Sequence, residues 1–159
     1  MTNRTRDVAA LALRLVTGLI FLPHGYSKVF GEGGAAAFAA DMPSYGIPMF
    51  FGYIAAYAEL LGGVLLIVGL VSRIDAFLLA CNMITAIAVI HAPDALHEAQ
   101  PGTIKLFALL RGIELPLALF AMCAAIVLLG PGRFSLDSLL GVEERVLRVL
   151  RPAGTARAV

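Results

Sequence analysis

The chain has 159 residues, 60% of them from the AVILMFWYC set and only 14% charged, with a formal net charge of +1. Soluble domains carry about 25% charged residues, so a water-soluble domain of this length is excluded and a multi-span membrane protein is indicated. Twelve cations nearly cancel eleven anions, which leaves no basic face for a nucleic-acid partner. Cys81 and Cys123 sit in apolar blocks without C-x-x-C spacing, so they form neither a disulfide framework nor a zinc site.

Four segments are long enough to cross about 30 Å of hydrocarbon at about 1.5 Å per residue. They fall near residues 8–30, 48–72, 74–92 and 106–130. The first runs past Leu22 without an A-x-A-like exit, so it reads as a retained span rather than a signal peptide. Residues 31–47 form an outer loop with room for a short interfacial helix. Pro48 opens the second span, where a proline is tolerated. Arg73 and Asp75 mark the tight turn to the third, and Gly130-Pro131-Gly132 ends the fourth. Beyond it, residues 135–151 carry Leu136, Leu139, Leu140, Val146, Leu147 and Leu150 on one stripe beside Arg145, Arg148 and Arg151. That pattern predicts an amphipathic helix, capped by Ser135, lying on the membrane surface. The expected fold is an all-α integral membrane protein: one domain over 1–159, four helices up-down-up-down.

Eight cations (Arg4, Arg6, Arg73, Arg133, Arg145, Arg148, Arg151, Arg157) fall on one side and three (Lys28, Lys105, Arg111) on the other. The positive-inside rule then puts both termini in the cytoplasm, and a bacterial inner membrane is the expected location.

A charged side chain at the bilayer centre costs roughly 2.5–3.5 kcal/mol on insertion scales, so it needs an internal partner or a task. Counting helix rise from the cytoplasmic end, His24, His91 and Glu114 lie about 24–26 Å up, with Glu59 at about 20 Å and Lys28 and Arg111 slightly above the histidines. Polar groups from all four spans thus converge on the outer half. Glu59 shares its face with Gly52, Ala55, Ala56, Gly62 and Gly63, small residues that let helices approach, so it points inward. Lys28 follows His24 at i+4, and Glu114 follows Arg111 at i+3, so each pair shares a face. Pro23 and Pro116 would loosen the helices locally. His91 lies nine residues from Asn82, on the opposite face of a regular helix; either the span ends first or Asn82 faces elsewhere. Lower down, Arg14 is expected to snorkel to the headgroups or meet Asp75. Cys81 and Cys123 lie at matching depth and read as inert apolar residues.

Three readings compete for the outer layer. One is a structural network in which Glu59 and Glu114 neutralise His, Lys and Arg. Another is a site for a quinone-type headgroup, with His24, Lys28 and His91 as donors to its carbonyls and aromatic surroundings from Tyr26, Phe30, Tyr45, Phe50, Phe51, Tyr53 and Tyr57. The third is a metal held by His24, His91, Glu59 and Glu114, with no E-x-x-H spacing in its support.

Several motifs resemble the DoxX family of small bacterial membrane proteins. They are Leu13-Arg14-Leu15, His24-Gly25-Tyr26-Ser27-Lys28-Val29-Phe30-Gly31, Gly46-Ile47-Pro48, Glu59-Leu60-Leu61-Gly62-Gly63, Ser72-Arg73, His91-Ala92-Pro93, Gly112-Ile113-Glu114-Leu115 and the run Gly130 to Asp137. The resemblance spans Leu11 to Leu140. It implies a four-helix inner-membrane protein linked to redox partners, some relatives reducing quinones or joining thiol-stress complexes. Carried over by position, His24, Lys28, Glu59, His91 and Glu114 match the family's polar signature, while Arg111 stands where a small residue is expected. The expected function is a membrane subunit of a respiratory or thiol-redox assembly binding a quinone-type headgroup. The sequence shows no flavin, haem or cluster motif, so such activity needs a protein partner. The alternative is a non-catalytic scaffold, and a homo-oligomer is compatible with either.

Overall fold

A computed structural model describes residues 3–97 and 104–142, and they are helical almost throughout. The first helix, α1, runs Asn3–Phe30 and is followed by the short α2, Gly34–Ala40, and a 3-10 turn at Met42–Tyr45. Helix α3, Met49–Val68, stops where Gly69 turns left-handed and its N–H closes on the Leu65 carbonyl, a glycine C-cap. The chain re-enters a helix within three residues as α4, Ser72–Ala86, which passes through a π turn at Ile87–His91 into α5, Ala92–His97. Helices α6, Lys105–Leu129, and α7, Leu136–Leu140, complete the described fold.

Four helical stretches are long and apolar enough to cross a membrane: Arg4–Phe30, Met49–Val68, Ser72–His97 and Lys105–Leu129. Only 22–33% of the most apolar window of each is buried inside the protein, so lipid must cover the remainder. The chain is a multi-pass membrane protein. Around the bundle, α1 packs beside α3, α3 beside α4, α4 beside α6 and α6 beside α1. The core lies between them: Phe21, Leu66, Leu79, Leu119, Cys123 and Ile126 are buried together. The start of α1, the α3–α4 turn and the end of α6 share one end, here the arginine-rich end; α2 and α5 lie at the other.

Four boundaries differ from expectation. The first span begins at Arg4 rather than near residue 8. The second span stops at Val68 rather than 72, because Gly69 caps it. The third continues past His91-Ala92-Pro93 to His97. Pro93 cannot donate a backbone hydrogen bond and lies two residues past the π turn, in the first turn of α5. The tail helix expected over 135–151 starts as foreseen, with the Ser135 hydroxyl accepting from Ser138 N–H at 3.1 Å. It ends at Leu140 because Gly141 turns left-handed; positions 143–151 of that expectation lie outside the described residues. Helices α1 and α6 run unbroken through Pro23 and Pro116.

Candidate functional site

The polar layer at the end away from the arginines is built on a close helix approach. Gly25 of α1 lies against the backbone of Glu59 and Leu60, and Gly18 against Gly63 and Ile67; a Cβ at either glycine would overlap those atoms. That approach brings Lys28, one turn above Gly25, to the Glu59 carboxylate. The ammonium sits 2.6 Å from each carboxylate oxygen. The Asn82 amide donates to Oε1 from α4 at 3.0 Å. Three helices therefore meet on one carboxylate whose side chain is 3% exposed, against 26% for the lysine. The Phe38 ring of α2 lies 4.8 Å from the ammonium, a cation–π contact that covers the pair from the loop side.

His91 reaches this neighbourhood by a route no regular helix provides. A π turn adds one residue to the helix, so everything beyond Ile87–His91 is turned back by about 100° relative to an uninterrupted α-helix. Both alternatives foreseen for His91 are thereby replaced: the helix continues, Asn82 faces Glu59, and the π turn swings His91 from the opposite face to where the charges of Lys28, Glu59 and Asp94 act on it. Gly112 of α6 holds the turn in place, its position allowing Ala95 and the His91 carbonyl to pack against that helix. The ring is exposed and makes no hydrogen bond among the described residues.

The remaining predicted residues do not join this group. His24 is exposed on the flank of α1 one turn below Lys28. Glu114 and Arg111 are exposed on α6, whose buried residues Pro116, Leu119, Cys123 and Ile126 define a different face. Among the described residues no ion pair links Arg111 to Glu114; the only such pair is Lys28–Glu59. No three His, Cys, Asp or Glu side chains among them come together to hold a metal ion, so the His24, His91, Glu59 and Glu114 set is not assembled. Tyr45 closes the loop end differently, its hydroxyl donating to Asp94 Oδ2 at 3.3 Å. Cys123 is fully buried and Cys81 exposed, both as free thiols.

A second polar cluster lies at the arginine-rich end. Arg14 is completely buried and neither snorkels nor pairs with Asp75: it donates to the Leu66 carbonyl at 3.0 Å and the Phe134 carbonyl at 2.6 Å. Asp137 accepts from the N–H groups of Val71 at 2.7 Å and Ser72 at 2.8 Å, and its own N–H donates to Gly69. A carboxylate on a helix N-terminus is favoured by the exposed amides there. The segment after α6 thus clamps the α3–α4 turn, where Val71 is held at φ 47. Arg73 donates to the Val127 carbonyl and Arg6 to the Leu129 carbonyl at the end of α6. A cavity of about 460 Å³ opens beside them, lined by Arg6, Asp7, Arg73, Arg133 and Ser138 among others. The quoted motifs Leu13-Arg14-Leu15, Ser72-Arg73 and Gly130 to Asp137 contained this clamp, but their convergence is a property of the fold.

The DoxX family model matches residues 9–92, more than half of the chain. The chain belongs to the DoxX family. Over 88 residues it is 41% identical to a protein of Bacillus subtilis (strain 168) named "Putative oxidoreductase CatD"; the alignment covers 55% of this chain and 63% of CatD, less than two thirds of that relative. No solved structure matches. The DoxX match takes in α1 to α4 and the π turn, hence Lys28, Glu59, Asn82 and His91. Glu114 and the clamp residues of 130–137 lie beyond it.

Proposed function

We propose that this DoxX protein is the membrane subunit of a redox assembly and that its Lys28–Glu59–Asn82–His91 group receives a quinone-type headgroup. The observation that carries the reading is the π turn. Such insertions occur mostly at functional sites, and this one moves an imidazole with no hydrogen-bond partner toward a buried ion pair at membrane depth. The donor chemistry fits the ligand: His91 and the third hydrogen of the Lys28 ammonium are free of the Glu59 contacts, and both can donate to a carbonyl oxygen. The described relative CatD carries an oxidoreductase name, which agrees with this class. A bound quinone would supply two-electron, two-proton carrier chemistry. Lys28 would hold negative charge, Glu59 would take or give a proton at its carboxylate, and His91 would orient the headgroup, with His24 at the entrance. Electrons come from a protein partner. The positive-inside rule places the arginine-rich end in the cytoplasm, so the site opens toward the outer half of a bacterial inner membrane.

The experiment is extraction of protein purified in nanodiscs, with quinone read by mass spectrometry. Near-stoichiometric quinone in the wild type, lost from a folded His91→Ala variant, is the expected result. A folded wild type free of quinone overturns the reading. A scaffold would then remain, favoured by one observation: both Glu59 oxygens are already satisfied by Lys28 and Asn82, as a purely structural bolt requires.

A further inference from the structure

The cavity at the arginine-rich end has no part in the proposed redox function. It lies where three spans finish, at the start of α1, the start of α4 and the end of α6, so its mouth stands at headgroup depth. Its volume of about 460 Å³ falls within the roughly 300–1,000 Å³ of small-ligand sites. Arg6, Arg73 and Arg133 line it with Asp7 and Asp137, and Arg4 lines an adjoining recess that shares Asp7 and Arg133. Two of these cations are fixed in place, Arg6 by the Leu129 carbonyl at 2.7 Å and Arg73 by the Val127 carbonyl. The side chains of Arg4 and Arg133 make no hydrogen bond or ion pair among the described residues, and both residues are exposed. The two carboxylates do not balance this charge. Asp137 is held by the N–H groups of Val71 and Ser72 and by the field of the buried Arg14. Asp7 accepts from the Arg133 N–H at 3.2 Å. Beside the mouth, Phe134 lines the recess, and Leu139 and Leu140 follow the lining residue Ser138; all three are largely exposed.

From this arrangement we infer that the cavity binds the phosphodiester headgroup of an anionic phospholipid. A guanidinium presents a planar fork of N–H donors that matches two phosphate oxygens at once. Basic pockets between span ends at the membrane surface are built to take acidic headgroups. The surplus of guanidinium over carboxylate selects a lipid of net negative charge over a zwitterionic one with the same phosphate. Phe134, Leu139 and Leu140 give its acyl chains an apolar bed beside the headgroup. Inorganic phosphate would meet the same donors but gain nothing from that apolar rim. The site is at the opposite end of the bundle from the Lys28–Glu59 group, so the inference does not depend on what that group binds.

The test is native mass spectrometry of the delipidated full chain in detergent, titrated separately with phosphatidylglycerol, phosphatidylcholine and inorganic phosphate. The wild type should hold a single phosphatidylglycerol more tightly than phosphatidylcholine. Arg4→Gln/Arg133→Gln should weaken phosphatidylglycerol by about tenfold or more, the expected loss for charge-assisted hydrogen bonds. Lys105→Gln/Arg111→Gln removes the same charge from the other end of the bundle and should leave binding unchanged. Equal affinity of the wild type for the two lipids overturns the inference whatever the variants do. Equal weakening by both double variants overturns it too, because net charge rather than this cavity would then attract the lipid. If inorganic phosphate displaces phosphatidylglycerol at comparable concentration, the cavity is a site for soluble phosphate and the lipid assignment is wrong.

Discussion

Arg14 shows how much one buried side chain can hold. Its guanidinium bridges two carbonyls, Leu66 on α3 and Phe134 on the segment after α6, from a position with no solvent exposure. A lysine offers a point charge without the planar fork, so Arg14→Lys should lose one of the two bonds and leave a buried carbonyl unsatisfied. The expected cost is about 1–3 kcal/mol, read as a lower unfolding temperature in detergent, with no change in oligomeric state. Val71 invites the opposite experiment. A β-branched residue at φ 47 carries a left-handed penalty of about 1–2 kcal/mol, which exceeds the roughly 0.5–1 kcal/mol by which glycine loosens a chain. Val71→Gly should therefore raise the unfolding temperature slightly; a clear drop would mean that the Val71 side chain packs better than its backbone suggests.

Among the elements, the π turn is the one whose geometry has no substitute. Removing Ala88 should return Ile87–His91 to α-helical register, leaving the helix content measured by circular dichroism unchanged. The residues beyond would rotate by about 100°, carrying His91 away from Lys28 and Glu59 and shifting Ala95 off Gly112. Quinone retention should vanish in that variant under the proposed function. Retention equal to wild type would show that the π turn serves packing alone. The α3–α4 turn is the complementary case: Gly69 is required there because the Arg14 guanidinium and Ser135 lie where its Cβ would stand, and its positive φ would strain any other residue.

At the scale of the whole molecule, the Lys28–Glu59–Asn82 group fastens α1, α3 and α4 toward the α2 end of the bundle, as the Arg14–Asp137 clamp does at the arginine-rich end. Removing one member of a buried ion pair costs about 3–5 kcal/mol, whereas replacing both by apolar residues is often neutral. Glu59→Leu alone should therefore destabilise strongly, and Lys28→Met/Glu59→Leu should recover most of the loss. Thermal unfolding of the set in one detergent measures this. If the group is also a binding site, the double variant will be stable yet empty; if it is only a bolt, quinone content will not depend on it.

Hydrophobic length, charge asymmetry and capping residues were enough, without tertiary information, to give four spans and a helical bundle, because crossing a bilayer constrains each segment by itself. The inward direction of Glu59 was legible for the same local reason, through its company of glycines and alanines. The partnership of Asn82, the reach of His91 and the burial of Arg14 were not. Asn82 depends on which face of α4 packs against α3, and His91 on one inserted residue that resets helical phase; no composition or spacing marks where an α-helix will take it. Arg14 depends on a carbonyl 120 residues away. Outward placement of Glu114 belongs to the same class: depth follows from counting residues, but the face a helix turns inward is decided only when its neighbours pack.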